Sequence, residues 1–99
     1  MRSEYYSKIN ERVKKIIKDK IGVDVNINSR ERYIVESRTL YFTVIREFAP
    51  KQTLQSIGDS VGRNHASVMH GLKLFDIVSM YNKEFPSLKD EIINEMCNG

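Results

Sequence analysis

TLQSIGDSVGRNHASVMHGL, residues 53–72, decides how this chain is read. It has the pattern of two short helices joined by a tight turn. Thr53 is a good N-cap, and Leu54, Ile57 and Val61 follow at helical spacing. Gly62 suits the turn because glycine adopts positive φ without steric cost. Asn64 caps a second helix whose apolar stripe is Val68, Leu72 and Phe75. Together these are the marks of a helix-turn-helix, a motif that presents its second helix to the DNA major groove.

With Val68 and Leu72 pointing inward, 100° per residue turns Ala66, His70 and Lys73 outward, with Ser67 and Met69 on the flanks. Asn64 and His65 stand at the N-terminal tip, where a recognition helix meets base edges. An asparagine can pair with adenine N6 and N7, and the methyl of Ala66 suits a thymine methyl. His70 and Lys73 lie further along, at the distance of phosphates. The plainer alternatives are a simple N-cap for Asn64 and a surface histidine for His65.

Outward from this stretch the helical pattern continues in both directions. Residues 30–48 form the longest run, with Ile34, Tyr41, Val44, Ile45 and Phe48 as the stripe of a central helix. Arg30, Arg32 and Arg38 lie on or near its start, where positive charge opposes the helix dipole. An arginine there can reach a narrow minor groove. The alternative is surface pairing with Glu31 or Glu36. Before it, residues 23–29 read as an extended connector that drops Val25 and Ile27 into the core, and Asn28 or Ser29 caps the central helix. Residues 3–21 form an amphipathic helix. Tyr6, Ile9, Val13, Ile16, Ile17 and Ile21 face in, Lys8, Arg12, Lys15 and Lys18 face out, and Gly22 ends it. Its plain role is a lid on the core, and the alternative is phosphate or partner-helix contact.

Residues 49–52 are a loop broken by Pro50. Past Leu74 the apolar pattern widens to Ile77, Val78, Met80 and Tyr81, which predicts more than one packing neighbour. Residues 81–86 read as a turn, and Ser87 as the cap of a last helix with Leu88, Ile92, Ile93 and Met96 inward. The expectation is five helices and no sheet.

Ninety-nine residues make one domain. No apolar run approaches the roughly 18 residues of a membrane span. The first ten residues lack a signal-peptide core, and the single Cys97 excludes an internal disulfide, so a cytoplasmic setting is expected. Charge is uneven. Residues 1–63 carry 13 Lys/Arg against 8 Asp/Glu, and residues 64–99 carry 3 against 5. A basic front half favours a polyanion partner. The run from Gly58 to Arg63 is too short for a P-loop and lacks its Lys-Ser/Thr. His65 and His70, five apart, point to different sides of a helix and make a poor zinc pair. With no catalytic grouping, neither an enzyme nor a metal or other cofactor is expected.

At SVGRNHASVMHG, residues 60–71, and at the preceding run SRERYIVESRTLYFTVIREF, the chain resembles the C-terminal DNA-binding domain (domain IV) of the bacterial replication initiator DnaA. The resemblance runs from about residue 28 to 96 and leaves residues 1–27, the N-terminal helix and connector, outside. It implies a small all-α domain of the Trp repressor-like type. It also implies sequence-specific binding of double-stranded DNA at a DnaA box-like site, in replication initiation or its regulation. By motif position Arg30 falls where the family enters the minor groove. Asn64, His65 and Ala66 occupy its base-reading positions, and Arg38, Thr53, His70 and Lys73 its backbone contacts. Leu54 and Gln55 match its apolar base contacts. Arg32, Arg63 and Ser67 complete the expected contact set.

The chain departs from the family where an aspartate has become Asn64, a threonine Ala66, and a glycine pair Gly62 alone. Asp accepts from cytosine N4 whereas Asn prefers adenine, so these changes bear on the site more than on DNA binding itself. No ATPase module is visible, and the chain reads as a stand-alone module. Two alternatives use the same fold. One is a protein-interaction adaptor that docks a replication or regulatory protein through the N-terminal helix. The other is a dimeric transcriptional repressor on a palindromic site.

Overall fold

The computed structural model describes residues 2–98 and is all-α. Five helices follow in order: α1 (Arg2–Ile21), α2 (Arg32–Phe48), α3 (Leu54–Asp59), α4 (His65–Tyr81) and α5 (Glu84–Asn98). No strand occurs among the described residues, and none of their helices is long and apolar enough to cross a membrane.

Helix α2 is the centre because it is buried nearly all round. Leu40, Tyr41, Phe42, Val44 and Ile45 reach α1, α4 and α5 from different sides. Its buried hydroxyls bond back to the helix: Ser37 Oγ to Tyr33 O at 2.8 Å and Thr39 Oγ1 to Glu36 O at 2.6 Å. Helix α1 closes one side of the core with Ile9, Val13 and Ile17, one per turn, as the lid its periodicity predicts. It ends at Gly22, whose φ of +72° is left-handed and whose N–H returns to Lys18 O at 2.8 Å.

The connector corrects one expectation. Val25 is buried, but Ile27 is 47% exposed and Val23 takes the second inward place. The chain turns between them: Ile27 N–H bonds to Asp24 O at 3.1 Å, and Asp24 Oδ1 accepts from Asn26 N–H at 2.9 Å. That turn breaks the period-two alternation and rotates Ile27 outward. Helix α2 also begins later than its pattern. Ser29 Oγ accepts from Glu31 N–H at 3.1 Å, which makes a small turn outside the helix. Glu31 is the N-cap, without a side-chain cap bond, so neither Asn28 nor Ser29 caps α2.

Two corrections concern the C-terminal half. The turn between α4 and α5 is Asn82 and Lys83 alone. Asn82 N–H closes α4 on Val78 O at 2.8 Å, and its Oδ1 accepts from Glu84 N–H at 3.2 Å. Ser87 is therefore inside α5 and caps nothing. Pro86 is tolerated as the third helical residue, where no intrahelical N–H bond is lost. This early start sends Phe85 into the core to stack on Phe75, with ring centroids 6.5 Å apart. The widened stripe of α4 needs a partial correction: α4 does pack against more than one neighbour, α2, α3 and α5, but not through all of the stripe. Phe75 and Val78 are buried, but Ile77, Met80 and Tyr81 are exposed, Met80 by 75%. The short turn folds α5 back over one flank of α4; on the other flank Tyr81 meets Arg32 and Glu36 of α2, and Ile77 and Met80 stay exposed.

Candidate nucleic-acid interface

The helix-turn-helix consists of α3, the turn at residues 60–64, and α4. Thr53 Oγ1 accepts from Ser56 N–H at 3.0 Å and starts α3. Gln52, fully buried, donates from Nε2 to Ser56 Oγ at 3.0 Å and holds the loop against that first turn. Gly62 has φ +69°, the left-handed conformation its place in the turn predicts. The turn closes through Arg63 N–H to Gly58 O at 2.8 Å. Gly58 is the turn's less visible half. A Cβ there would lie 2.6 Å from Arg63 O and 3.0 Å from Asn64 O. The close approach of α3 to the turn depends on that missing carbon. Sequence reasoning missed Gly58. The available signal was a glycine inside a very short helix, which costs about 1 kcal/mol and needs a packing reason.

The turn is braced from behind. Ser60 Oγ donates to Ile57 O and accepts from the buried Tyr41 OH at 2.7 Å. Burial pushes the Tyr41 phenol well above its ordinary pKa. Lys14 Nζ of α1 donates to Ser60 O. Thus α1 and α2 both fix the turn that aims α4.

At the tip of α4, Asn64 Oδ1 accepts from Ser67 N–H at 2.9 Å. The cap and the outward placement hold together: Asn64, His65 and Ala66 are exposed, with His70 and Lys73 exposed one and two turns on and Ser67 half-buried. A groove of about 390 Å³ runs between α2 and α4, and Arg38, Arg63, Asn64, Ala66, Ser67 and His70 all line it.

Arg38 and Arg63 are the electrostatic centre of that groove. Arg38 is 7% exposed, donates from Nη2 to Ile27 O at 2.8 Å, and leaves Nε without a partner. Burial first, and then the nearby Arg63 charge, lowers its pKa. Arg63 Nη2 donates to Asn28 Oδ1 at 2.8 Å. Among the described residues neither arginine has a carboxylate within ion-pair distance. Two adjacent guanidiniums, one nearly buried and neither neutralised, form a seat for an anion.

The other expected residues stand apart from this groove. Arg30 is exposed and lines a second, shallower groove with Arg32, Glu36 and Tyr81. Val35 and Leu74 border both grooves, so the two are neighbours. Arg32 is engaged locally: Nε pairs with Glu36 Oε2 at 2.9 Å, and the guanidinium lies 4.9 Å from the Tyr81 ring centroid. Tyr81 OH donates to the same carboxylate at 2.6 Å. Thr53, Leu54 and Gln55 sit together at the start of α3, where Gln55 Nε2 bonds to Asp59 Oδ1 at 2.8 Å. Among the described residues no group of three His, Cys, Asp or Glu is placed to hold a metal ion.

Comparison with known proteins agrees with this geometry. The family described as bacterial dnaA protein helix-turn-helix matches residues 10–74, from within α1 to within α4. The chromosomal replication initiator protein DnaA of Flavobacterium psychrophilum is 29% identical over 84 residues, which is 81% of this chain and 17% of that protein. The chain thus spans less than a fifth of the curated relative it matches. No solved structure matches.

Proposed function

The chain belongs to the bacterial DnaA helix-turn-helix family, a DNA-binding domain rather than a catalytic one, and from that premise we propose that it reads a short, asymmetric double-stranded DNA site in replication initiation or its regulation. The observation that carries this reading is the uncompensated Arg38–Arg63 pair beside the exposed, capped tip of α4. The pair supplies charge for the backbone, and the tip supplies side chains for base edges.

In this reading Asn64, His65 and Ala66 enter the major groove. Asn64 Oδ1 has two lone pairs; the cap uses one, and the other works with the amide N–H to face a base. Ser67 flanks them. Arg38, Arg63, His70 and Lys73 hold phosphates on one side of the groove and Thr53 on the other, while Leu54 and Gln55 make apolar contact with bases. Arg30, just outside α2, reaches into the adjacent minor groove. Arg32, held by Glu36 and Tyr81, adds charge at that edge. Asn64 and Ala66 shift the preferred site away from the usual DnaA box, since one bidentate pair is worth roughly 1–3 kcal/mol of discrimination.

The test is a fluorescence-anisotropy titration against a DnaA-box duplex, a scrambled duplex and duplexes selected from a random pool, at two salt concentrations. Selective binding weakened by Arg30→Ala and His65→Ala supports the reading, with a selected site bound more tightly than the box; a preference for the box itself means that the Asn64 and Ala66 changes are tolerated and refutes the shift, but not specific recognition. Equal weak binding to every duplex, lost at moderate salt, refutes specific recognition.

A further inference from the structure

We propose that Asn28, in the connector between α1 and α2, is a positioning residue for DNA binding. Its neutral amide holds Arg63 beside Arg38 and leaves both charges open to a DNA phosphate. This rests on the DNA-reading function proposed above and names what keeps its phosphate seat assembled.

Arg63 is placed against its own electrostatics. It stands one residue before Asn64, the N-cap of α4, where positive charge opposes the helix dipole. Burial, and then the Arg63 charge, lowers the pKa of Arg38, so the two guanidiniums repel each other. Arg63 is only half-buried, and fixing an arginine costs rotamer freedom. All three effects favour a side chain swung out into solvent. Against them stands the bond from Arg63 Nη2 to Asn28 Oδ1 at 2.8 Å.

The acceptor is held in place on both sides. Ile27 N–H bonds to Asp24 O at 3.1 Å, and Ser29 N–H to Ile27 O at 3.0 Å. Ser29 Oγ accepts from Glu31 N–H at 3.1 Å. Asn28 therefore projects from a tied loop. Ile27 O also accepts from Arg38 Nη2 at 2.8 Å, so consecutive residues of the connector hold the two arginines.

Neither acceptor carries charge, and that is what the seat requires. None of the residues lining the groove is acidic, and Glu36 in the neighbouring groove is taken by Arg32 and Tyr81. Among the described residues Asp24 and Glu31, the carboxylates of the connector, are in no ion pair with either arginine. A carboxylate at position 28 would hold Arg63 more firmly but cancel the charge a phosphate needs. Asn28 is exposed and does not cap α2, whose N-cap is Glu31, so its substitution leaves the fold intact.

The experiment is a double-mutant cycle in the full chain with Asn28→Ala, Arg63→Ala and the two combined, plus Asn28→Asp. Each variant is checked by its urea midpoint. Each is then titrated by fluorescence anisotropy on the selected duplex and a scrambled one, at 50 and 200 mM salt. Asn28→Ala weakens binding by about 3- to 10-fold when Arg63 is present and has no effect when it is absent. Asn28→Asp keeps Arg63 in place but neutralises it. Its urea midpoint stays at or above that of the wild type, yet it binds more weakly. Between the two salt concentrations it loses about 3.5-fold less affinity than the wild type, the share of one phosphate contact. An equal loss from Asn28→Ala with and without Arg63 means that Asn28 touches DNA itself, and overturns the proposal. An Asn28→Ala variant with a lower urea midpoint but unchanged binding by the folded protein also overturns it, as does wild-type salt dependence in Asn28→Asp. A wild type that binds both duplexes equally refutes the reading function, while the cycle on either duplex still decides the role of Asn28. Absence of binding to any duplex overturns both.

Discussion

Asn64 uses one amide for two purposes, and substitution separates them. Asn64→Ala removes the acceptor for Ser67 N–H and destabilises the domain by about 1 kcal/mol. Asn64→Asp retains the cap and adds a favourable charge at the start of α4, so its urea midpoint stays at or slightly above that of the wild type. Its selected sites move toward cytosine at the position Asn64 reads, because a carboxylate only accepts. A selection with both proteins shows whether the base preference changes while stability does not. Tyr41 offers a pH test. Tyr41→Phe loses the bond to Ser60 and about 0.5–1.5 kcal/mol at neutral pH. The buried phenol is raised, so the unfolded chain ionises near pH 10 while the folded protein does not. The Tyr41 contribution is thus fully present below pH 10 and declines as pH rises toward the folded value. The gap between wild type and Tyr41→Phe narrows above pH 10, by up to about 1.4 kcal/mol per unit, and has closed by about pH 11. Urea titrations at pH 7, 9, 10 and 11 measure it, and a constant gap refutes the assignment. Both caps of the motif, Thr53 and Asn64, were legible because a cap is a local signal. Gln52 and Gly58 were not, because their roles depend on atoms four to six residues away across a turn.

At the scale of elements, three glycines set how closely helices and turn approach, each for a different reason. Gly62 meets no atom but needs φ +69°, so Gly62→Ala is strained by about 1–2 kcal/mol and Gly62→Asn by less. Gly58 faces backbone at 2.6 Å, which cannot swing aside. Gly58→Ala therefore displaces the turn, and it weakens DNA binding more than its stability loss of about 1–3 kcal/mol would suggest. Gly71 faces the Phe42 ring at 2.6 Å, so Gly71→Ala pushes α4 off α2 with a similar loss. Denaturant melts with binding measured on the folded fraction separate these effects. If Gly58→Ala binds as tightly as Gly71→Ala, the turn is not what aims α4. Helices with a clear three-and-four period were legible in place and face, as α1 and the middle of α2 show. The errors cluster where side-chain bonds near a terminus override the period. The Asp24 turn rotated Ile27 out, the Ser29 turn delayed α2, and Asn82 started α5 three residues before Ser87. Ile77 and Met80 were misplaced for a different reason. An apolar residue on a helix shows that it has a stripe, and not that the chain has an element left to cover it.

For the molecule as a whole, the reading face was legible as a set of residues before it was legible as a surface. The order Arg30, Arg38, Arg63 to Lys73 gives the chemistry, but only the fold shows Arg38 and Arg63 adjacent and Arg32 tied to Glu36. It also shows that α1 belongs to the same body. Ile9, Val13 and Ile17 close the core over α2, and Lys14 touches the turn. The domain should therefore not survive without this helix. Ile17→Ala, at a fully buried site, destabilises by about 2–5 kcal/mol, a large share of what a domain of this size has. Removing residues 2–21 strips all three side chains at once, and the remainder should show no cooperative thermal transition. Ile17→Ala, at a temperature where it is still folded, should keep the wild-type site preference, because it leaves the tip of α4 in place. A deletion variant that melts cooperatively and still selects its site would show that α2 to α5 suffice, and that α1 is an appendage rather than part of the core.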